Sequence, residues 1–181
     1  MDQSPQENDW QELIDYTRFG SEDVFYIQQI WPLVQPELPE LINRFYQAVL
    51  KSPARNVLQD EKQVERLKKT LMRWIEEMFT GPYDDAYWAR RRKIGWTHVK
   101  VGLKHHFVFS AMNLIRNDLI QIALDHLPME KAVATCHAIT RLTDMELAIM
   151  SSAYMQAHEE VELRSLQELI VRAMPVTILC L

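Results

Sequence analysis

Apolar residues recur along this chain at three- and four-residue intervals, the spacing of amphipathic helices rather than strands. The pattern predicts a short helix over Trp10–Phe19, stopped by Gly20. Ser21 is expected to cap a second helix, with Glu22 and Asp23 in a first turn where carboxylates favour the positive end of the dipole. That helix is expected to end near Trp31-Pro32, and another to open at Pro36 and Pro39 and run through Leu41, Phe45, Val49 and Leu50 to Ser52-Pro53. After a turn over 54–58, Asp60 starts a long helix with Val64, Leu67, Leu71, Trp74, Ile75 and Met78 on one broad face, ended by Gly81-Pro82. The segment 83–102 follows, then two long helices, Lys104–His126 and Met129–His158, parted at Pro128.

The two ends read differently. Residues 1–8 are polar and are expected to form a flexible N-terminus before a domain over 9–158. Residues 159–173 are charged, with Leu163, Leu166, Leu169 and Ile170 on one side, which suits a continuing helical linker. Met174-Pro175 breaks that pattern. Val176–Leu181 is apolar and β-branched, and reads as the first strand of a following domain over 174–181, resembling the entry to a PAS-type module.

Composition supports an all-α protein: 181 residues, 48% of them hydrophobic, hold only 4 glycines against 9 methionines. A net charge of −5 argues against a general nucleic-acid or anionic-membrane binder. The two cysteines, Cys136 and Cys180, form neither a disulfide framework nor a metal-ligand cluster. The start is polar and acidic, unlike a signal peptide, and no apolar run reaches the roughly 18 residues of a membrane span. A soluble, cytoplasmic chain is expected.

The candidate chemistry lies in Tyr87–Leu103, YWARRRKIGWTHVKVGL. His98 is the first histidine of the chain and stands between apolar helical neighbours, with Gly95 before it and Gly102 after. An iron porphyrin needs an axial imidazole, a flat apolar slot and control of the opposite face. His98 supplies the imidazole. Ile94 and Val101, about one turn away on either side, can pack on the macrocycle, and Gly95 removes a side chain where it would come close. Arg90, Arg91, Arg92 and Lys93 could meet propionates, although such a run is more often a solvated helix face. His105 and His106 are adjacent on a helix, point apart, and read as surface or interface residues. Trp74, Met78, Phe107 and Met112 read mainly as core, with room for some of them to touch a cofactor.

Several motifs together resemble the sensor domain of globin-coupled sensors, a haem-binding family related to protoglobins. They are Phe45-Tyr46 with Leu50 and Pro53; Leu67, Thr70 and Leu71 in LKKTLMRWIEEMFTG; RRRKIGWTHVKVGL; and LTDMELAIMSSAY over Leu142–Tyr154. The likeness covers about residues 10–158. It implies a globin fold with an extra N-terminal helix, a reduced D region and a homodimer formed through the last two helices. It also implies haem b (iron protoporphyrin IX), with His98 as proximal iron ligand and Tyr46 as distal tyrosine. Leu67 and Thr70 match distal positions of the long middle helix, with Leu71 and Trp74 beside them among the cofactor-binding residues.

The chemistry agrees with that implication. A diatomic that gains partial negative charge on binding is stabilised by a phenol donor such as Tyr46. Thr70 could donate too, or hold a water, while Leu67 keeps the pocket dry. With no histidine before residue 98, a distal histidine on the middle helix is excluded, which favours an open sixth position for O2, CO or NO.

The resemblance further implies relay to a C-terminal transmitter: a histidine kinase, a diguanylate cyclase or a chemotaxis domain, with the PAS-like ending favouring the first two. The chain carries no nucleotide motif, so it is expected not to be an enzyme itself. Ile139, Leu142, Met145, Ile149, Ser152, Ala153 and Gln156 lie along one side of the last helix and are expected at the dimer seam, where Ser151, Ser152, Ala153 and Ala157 would permit close approach. Two other readings remain open: a haem-free globin-like interaction module, and a stand-alone globin that reacts with O2 or NO.

Overall fold

A computed structural model describes residues 9–173, and all its regular elements are helices. They are α1 (Asp9–Thr17), α2 (Ser21–Leu50), a 3-10 turn (Pro53–Val57), α3 (Glu61–Thr80), α4 (Asp85–Lys100), α5 (His105–His126) and α6 (Met129–Ala173). The expected flexible N-terminus and the expected strand over 176–181 lie outside the described residues. No helix among the described residues is long and apolar enough to cross a membrane.

The largest departure from the sequence pattern is α2. A break at Pro32 and a fresh start at Pro36 are replaced by one 30-residue helix that carries Pro32, Pro36 and Pro39 inside it. An internal proline loses a hydrogen bond and costs about 3 kcal/mol. Here all three prolines sit on the solvent side, as do Gln28 and Gln35, so the carbonyls left without donors can bond water. The opposite stripe (Ile27, Ile30, Val34, Leu38, Leu41 and Ile42) is almost wholly buried. Six buried aliphatic side chains, at about 1.5–3 kcal/mol each, outweigh the prolines. The cap also differs from expectation. Gly20, not Ser21, is the N-cap, and the Asp23 carboxylate accepts its N–H at 3.0 Å.

The other boundaries follow local chemistry. Asp60 caps α3 by accepting the Gln63 N–H at 2.7 Å, and Asp84 caps α4 by accepting the Tyr87 N–H at 2.8 Å. Only the 3-10 turn stands between α2 and α3. The core sits where α2, α5 and α6 converge, centred on Ile27, Ile30, Leu41, Leu119, Ile139 and Leu142. Around it, α3 packs mainly on α2 and α4 mainly on α6.

The stripe of α6 expected at a dimer seam faces this core instead. Ile139, Leu142, Met145, Ile149 and Ala153 are buried within the chain itself. Helical periodicity marks a face that is covered but does not say by what. The apolar residues that α5 and α6 leave exposed before residue 159 are others: Phe109, Leu114, Leu124, Met129, Val133 and Met155. α6 runs on without interruption through 159–172, all of it exposed.

Candidate functional site

His98 lies in the last turn of α4, and the end of that helix is built in detail. Val101 is the C-cap and Gly102 follows at φ +71°, a left-handed conformation that glycine adopts without cost. The Gly102 N–H bonds the Val99 carbonyl at 3.0 Å and the Leu103 N–H bonds the His98 carbonyl at 3.1 Å. This pair of bonds is a Schellman motif, and it fixes the backbone at His98 itself. The imidazole is half-buried, and burial pulls its pKa below the ordinary histidine value, so it is held neutral. Its Nδ1 is buried with no hydrogen-bond partner. A neutral, desolvated imidazole is the form that binds a metal.

Tyr46, on the inner face of α2, is 7% exposed, and its hydroxyl makes no hydrogen bond among the described residues. Burial pushes its pKa up to about 12, so it stays a protonated donor. A groove of about 580 Å³ between α2, the 3-10 turn and α3 reaches Tyr46, with Leu50, Leu58, Val64 and Lys68 also on its walls. Leu67 and Leu71 of α3 and Ile94 of α4 are half-buried and border the same apolar cluster that contains Tyr46 and Trp74.

Two expected site residues stand outside that cluster. Thr70 is exposed, its hydroxyl donating back to the Arg66 carbonyl at 3.2 Å, and Val101 is 47% exposed at the end of α4. Met78 and Met112 are core residues, and Phe107 is half-buried.

Gly95 has a different role from the one expected. A Cβ there would stand 2.3 Å from the Met150 carbonyl oxygen and 2.9 Å from its Cα. The missing side chain therefore lets α4 lie directly on the backbone of α6, rather than making room for a macrocycle.

Arg91 is likewise neither solvated nor aimed at propionates. It is 1% exposed and reaches from α4 to both α3 and α6. Its Nε donates to Glu146 Oε1 of α6 at 3.2 Å, its Nη1 to Glu77 Oε2 of α3 at 2.7 Å, and its Nη2 to the Trp74 carbonyl at 3.3 Å. The guanidinium also lies 3.9 Å from the ring centroid of Tyr87, whose hydroxyl bonds Glu146. Burial raises the Glu146 pKa, opposed by Arg91 and by the Tyr87 hydroxyl. Of the rest of the cationic run, Arg90 pairs with Glu77 at 3.4 Å and Arg92 stands over the Trp10 ring at 5.3 Å.

Sequence reasoning missed Glu146, a charged residue inside a hydrophobic stripe. That position is itself the signal that could have found it. His105, expected at the surface or an interface, is half-buried with Nε2 3.0 Å from Ser151 Oγ and its ring stacked on Tyr154, whereas His106 is exposed.

Similarity to known proteins agrees with this architecture. Residues 6–160 match the Protoglobin family. The globin domain of a Geobacter sulfurreducens globin-coupled sensor is 34% identical, with a TM-score of 0.75 over 80% of this chain and 96% of that one. The globin domain of E. coli DosC, in its ferric form, is 17% identical with a TM-score of 0.66, over 81% of this chain and 97% of that one. The ferrous form of the same domain is 16% identical, also at a TM-score of 0.66.

Proposed function

This chain belongs to the protoglobin family and has the globin fold of a globin-coupled sensor domain, and from that premise we propose that it binds haem b and senses O2. The observation that carries the proposal is His98: a neutral imidazole, desolvated, without a protein partner at Nδ1, on a helix end whose backbone is fixed. Held through His98, haem would supply an iron able to take up O2, CO or NO. The residues fit such a group: Leu67, Leu71 and Ile94 offer apolar surface, and Trp74 is buried beside them. Tyr46 provides the distal donor, a phenol kept protonated by burial and free of competing partners among the described residues. Thr70, exposed and bonded back to the Arg66 carbonyl, adds no donor beside it in this arrangement. Leu67 limits the water that would otherwise occupy the donor.

Relay follows from how α4 is held. Its contact with α6 at Gly95 and Met150, and the buried Arg91–Glu146 pair, tie the helix carrying His98 to the helix that runs on to residue 173. A displacement of His98 is thereby passed to α6, then to a C-terminal transmitter, a histidine kinase or diguanylate cyclase. The sensing unit is a homodimer formed through the outer faces of α5 and α6, where Leu114, Leu124, Met129 and Val133 are exposed. On this reading the domain itself catalyses nothing.

The test is Tyr46→Phe in the haem-loaded chain, followed by stopped-flow gas release. Loss of a hydrogen bond to a partly charged ligand should speed O2 release by roughly ten-fold or more, with CO release changed far less. Equal effects on both gases would remove Tyr46 as the donor.

A further inference from the structure

Helices α3 and α4 carry the apolar residues offered to a cofactor: Leu67 and Leu71 on one, Ile94 together with His98 on the other. The two helices are joined by the connection over 81–84. Between that connection and the candidate site stands Arg91, about two turns into α4. Its Nη1 donates to Glu77 Oε2 at 2.7 Å and its Nη2 to the Trp74 carbonyl at 3.3 Å, both on α3. Its Nε donates to Glu146 Oε1 on α6 at 3.2 Å. Along both helices the site residues lie beyond this bridge: Leu67 and Leu71 precede Trp74, and Ile94 and His98 follow Arg91.

Packing alone does not call for an ion here. An apolar side chain of similar volume fills a buried position about as well as a paired guanidinium and avoids the loss of hydration. What it lacks is direction. A planar fork with donors committed to two other helices holds them at set distances, because a hydrogen bond is lost beyond about 3.5 Å. The guanidinium is also held on its face, 3.9 Å from the Tyr87 ring centroid. Burial works against the Glu77 carboxylate, but Arg91 and Arg90 together bring its pKa below the ordinary value, so it is ionised at neutral pH.

We propose that Arg91 is a positioning residue for the cofactor slot: by bonding Glu77 and Trp74 on α3 and Glu146 on α6 together, it fixes the separation of α3 and α4. The proposal rests on the haem-binding reading above. It gives the buried guanidinium a task in gripping the cofactor, distinct from its share in stability.

The test leaves Arg91 and Glu146 in place and changes the half-exposed partner on α3. Glu77→Ala removes the acceptor, Glu77→Gln restores a neutral one at the same reach, and Arg90→Gln removes only the exposed cation beside Glu77. Spin labels at Lys69→Cys and Thr97→Cys, both exposed positions, report the separation of α3 and α4 in the haem-free chain by double electron–electron resonance. Cys136→Ala and Cys180→Ala keep labels off the native thiols, and dilution with unlabelled chain confines the distances to one molecule. Glu77→Ala should lengthen and broaden the separation and, in the haem-loaded chain, speed haem loss to an acceptor globin about ten-fold. Glu77→Gln and Arg90→Gln should both stay near the wild-type chain. An unchanged separation or unchanged haem loss in Glu77→Ala, or an equal effect from Arg90→Gln, overturns the proposal. Should Glu77→Ala not fold, Arg91→Lys takes its place: one ammonium cannot span Glu77 and Glu146 as the fork does, and an unchanged separation there overturns the proposal. A wild-type chain that takes up no haem defeats the haem reading instead, and the distances in the haem-free chain still judge Arg91.

Discussion

At Gly95 the fold leaves no space for even one methyl group. The atoms a Cβ would strike are backbone atoms of Met150, which cannot rotate aside as a flexible side chain could. Gly95→Ala is therefore expected to push α4 away from α6 and to destabilise the chain by about 1–3 kcal/mol, read by urea denaturation. Unchanged stability would mean that the helices part easily, and the rigid attachment of α4 would be lost from the account. The same residue marks how far sequence reasoning reaches. That a small side chain is needed next to His98 was legible. What it is small for was not, because Met150 approaches only through the tertiary fold. Arg91 is a parallel case. Within the run Arg90, Arg91, Arg92 and Lys93 no local signal separates the buried guanidinium from its neighbours, and its partner Glu146 is 55 residues away. His98 and Tyr46 were easier to single out, since the motifs around them are local and contiguous.

Among the elements, α4 is distinguished by the charge it buries against α6. Glu146 is fully buried and Arg91 nearly so. Removing two ions from water is expensive, and a buried pair can be worth little relative to apolar residues of the same size, but breaking it leaves an uncompensated charge. Glu146→Ala should cost about 3–5 kcal/mol in urea denaturation, whereas Arg91→Met combined with Glu146→Leu should recover most of that loss. If the double variant is no more stable than the single one, the pair is not the source of the destabilisation. Element boundaries were legible wherever a cap or stop residue acts locally, as at Asp60 and Gly81-Pro82. They were not legible in α2, where prolines dictate a break in isolation and six buried aliphatic side chains on the opposite face override it. That override belongs to tertiary packing, which no local rule contains.

For the whole molecule, the proposed dimer seam lies on the outer faces of α5 and α6. Met129 is 72% exposed and Val133 44% exposed, as is Leu124 (45%) on α5 before the turn between the helices. Sedimentation equilibrium should return the mass of a dimer for the wild-type chain and of a monomer for Val133→Glu, which buries a charge in the proposed seam. A wild-type monomer would remove the dimeric relay while leaving the pocket untouched. The stripe that the sequence offered for this seam, at Ile139, Leu142, Met145 and Ile149, is consumed by the chain's own core, so the proposed seam uses the exposed residues of α5 and α6 instead.

The central claim is that His98 and Tyr46 frame a gas-binding haem site, and an absorption spectrum tests it most directly. The purified chain, loaded with haem and reduced, should show a strong Soret band that moves on admitting O2 and moves differently with CO, and His98→Ala should abolish stable haem binding. A wild-type chain with no Soret band, a ferrous spectrum indifferent to both gases, or a normal spectrum in His98→Ala would contradict it.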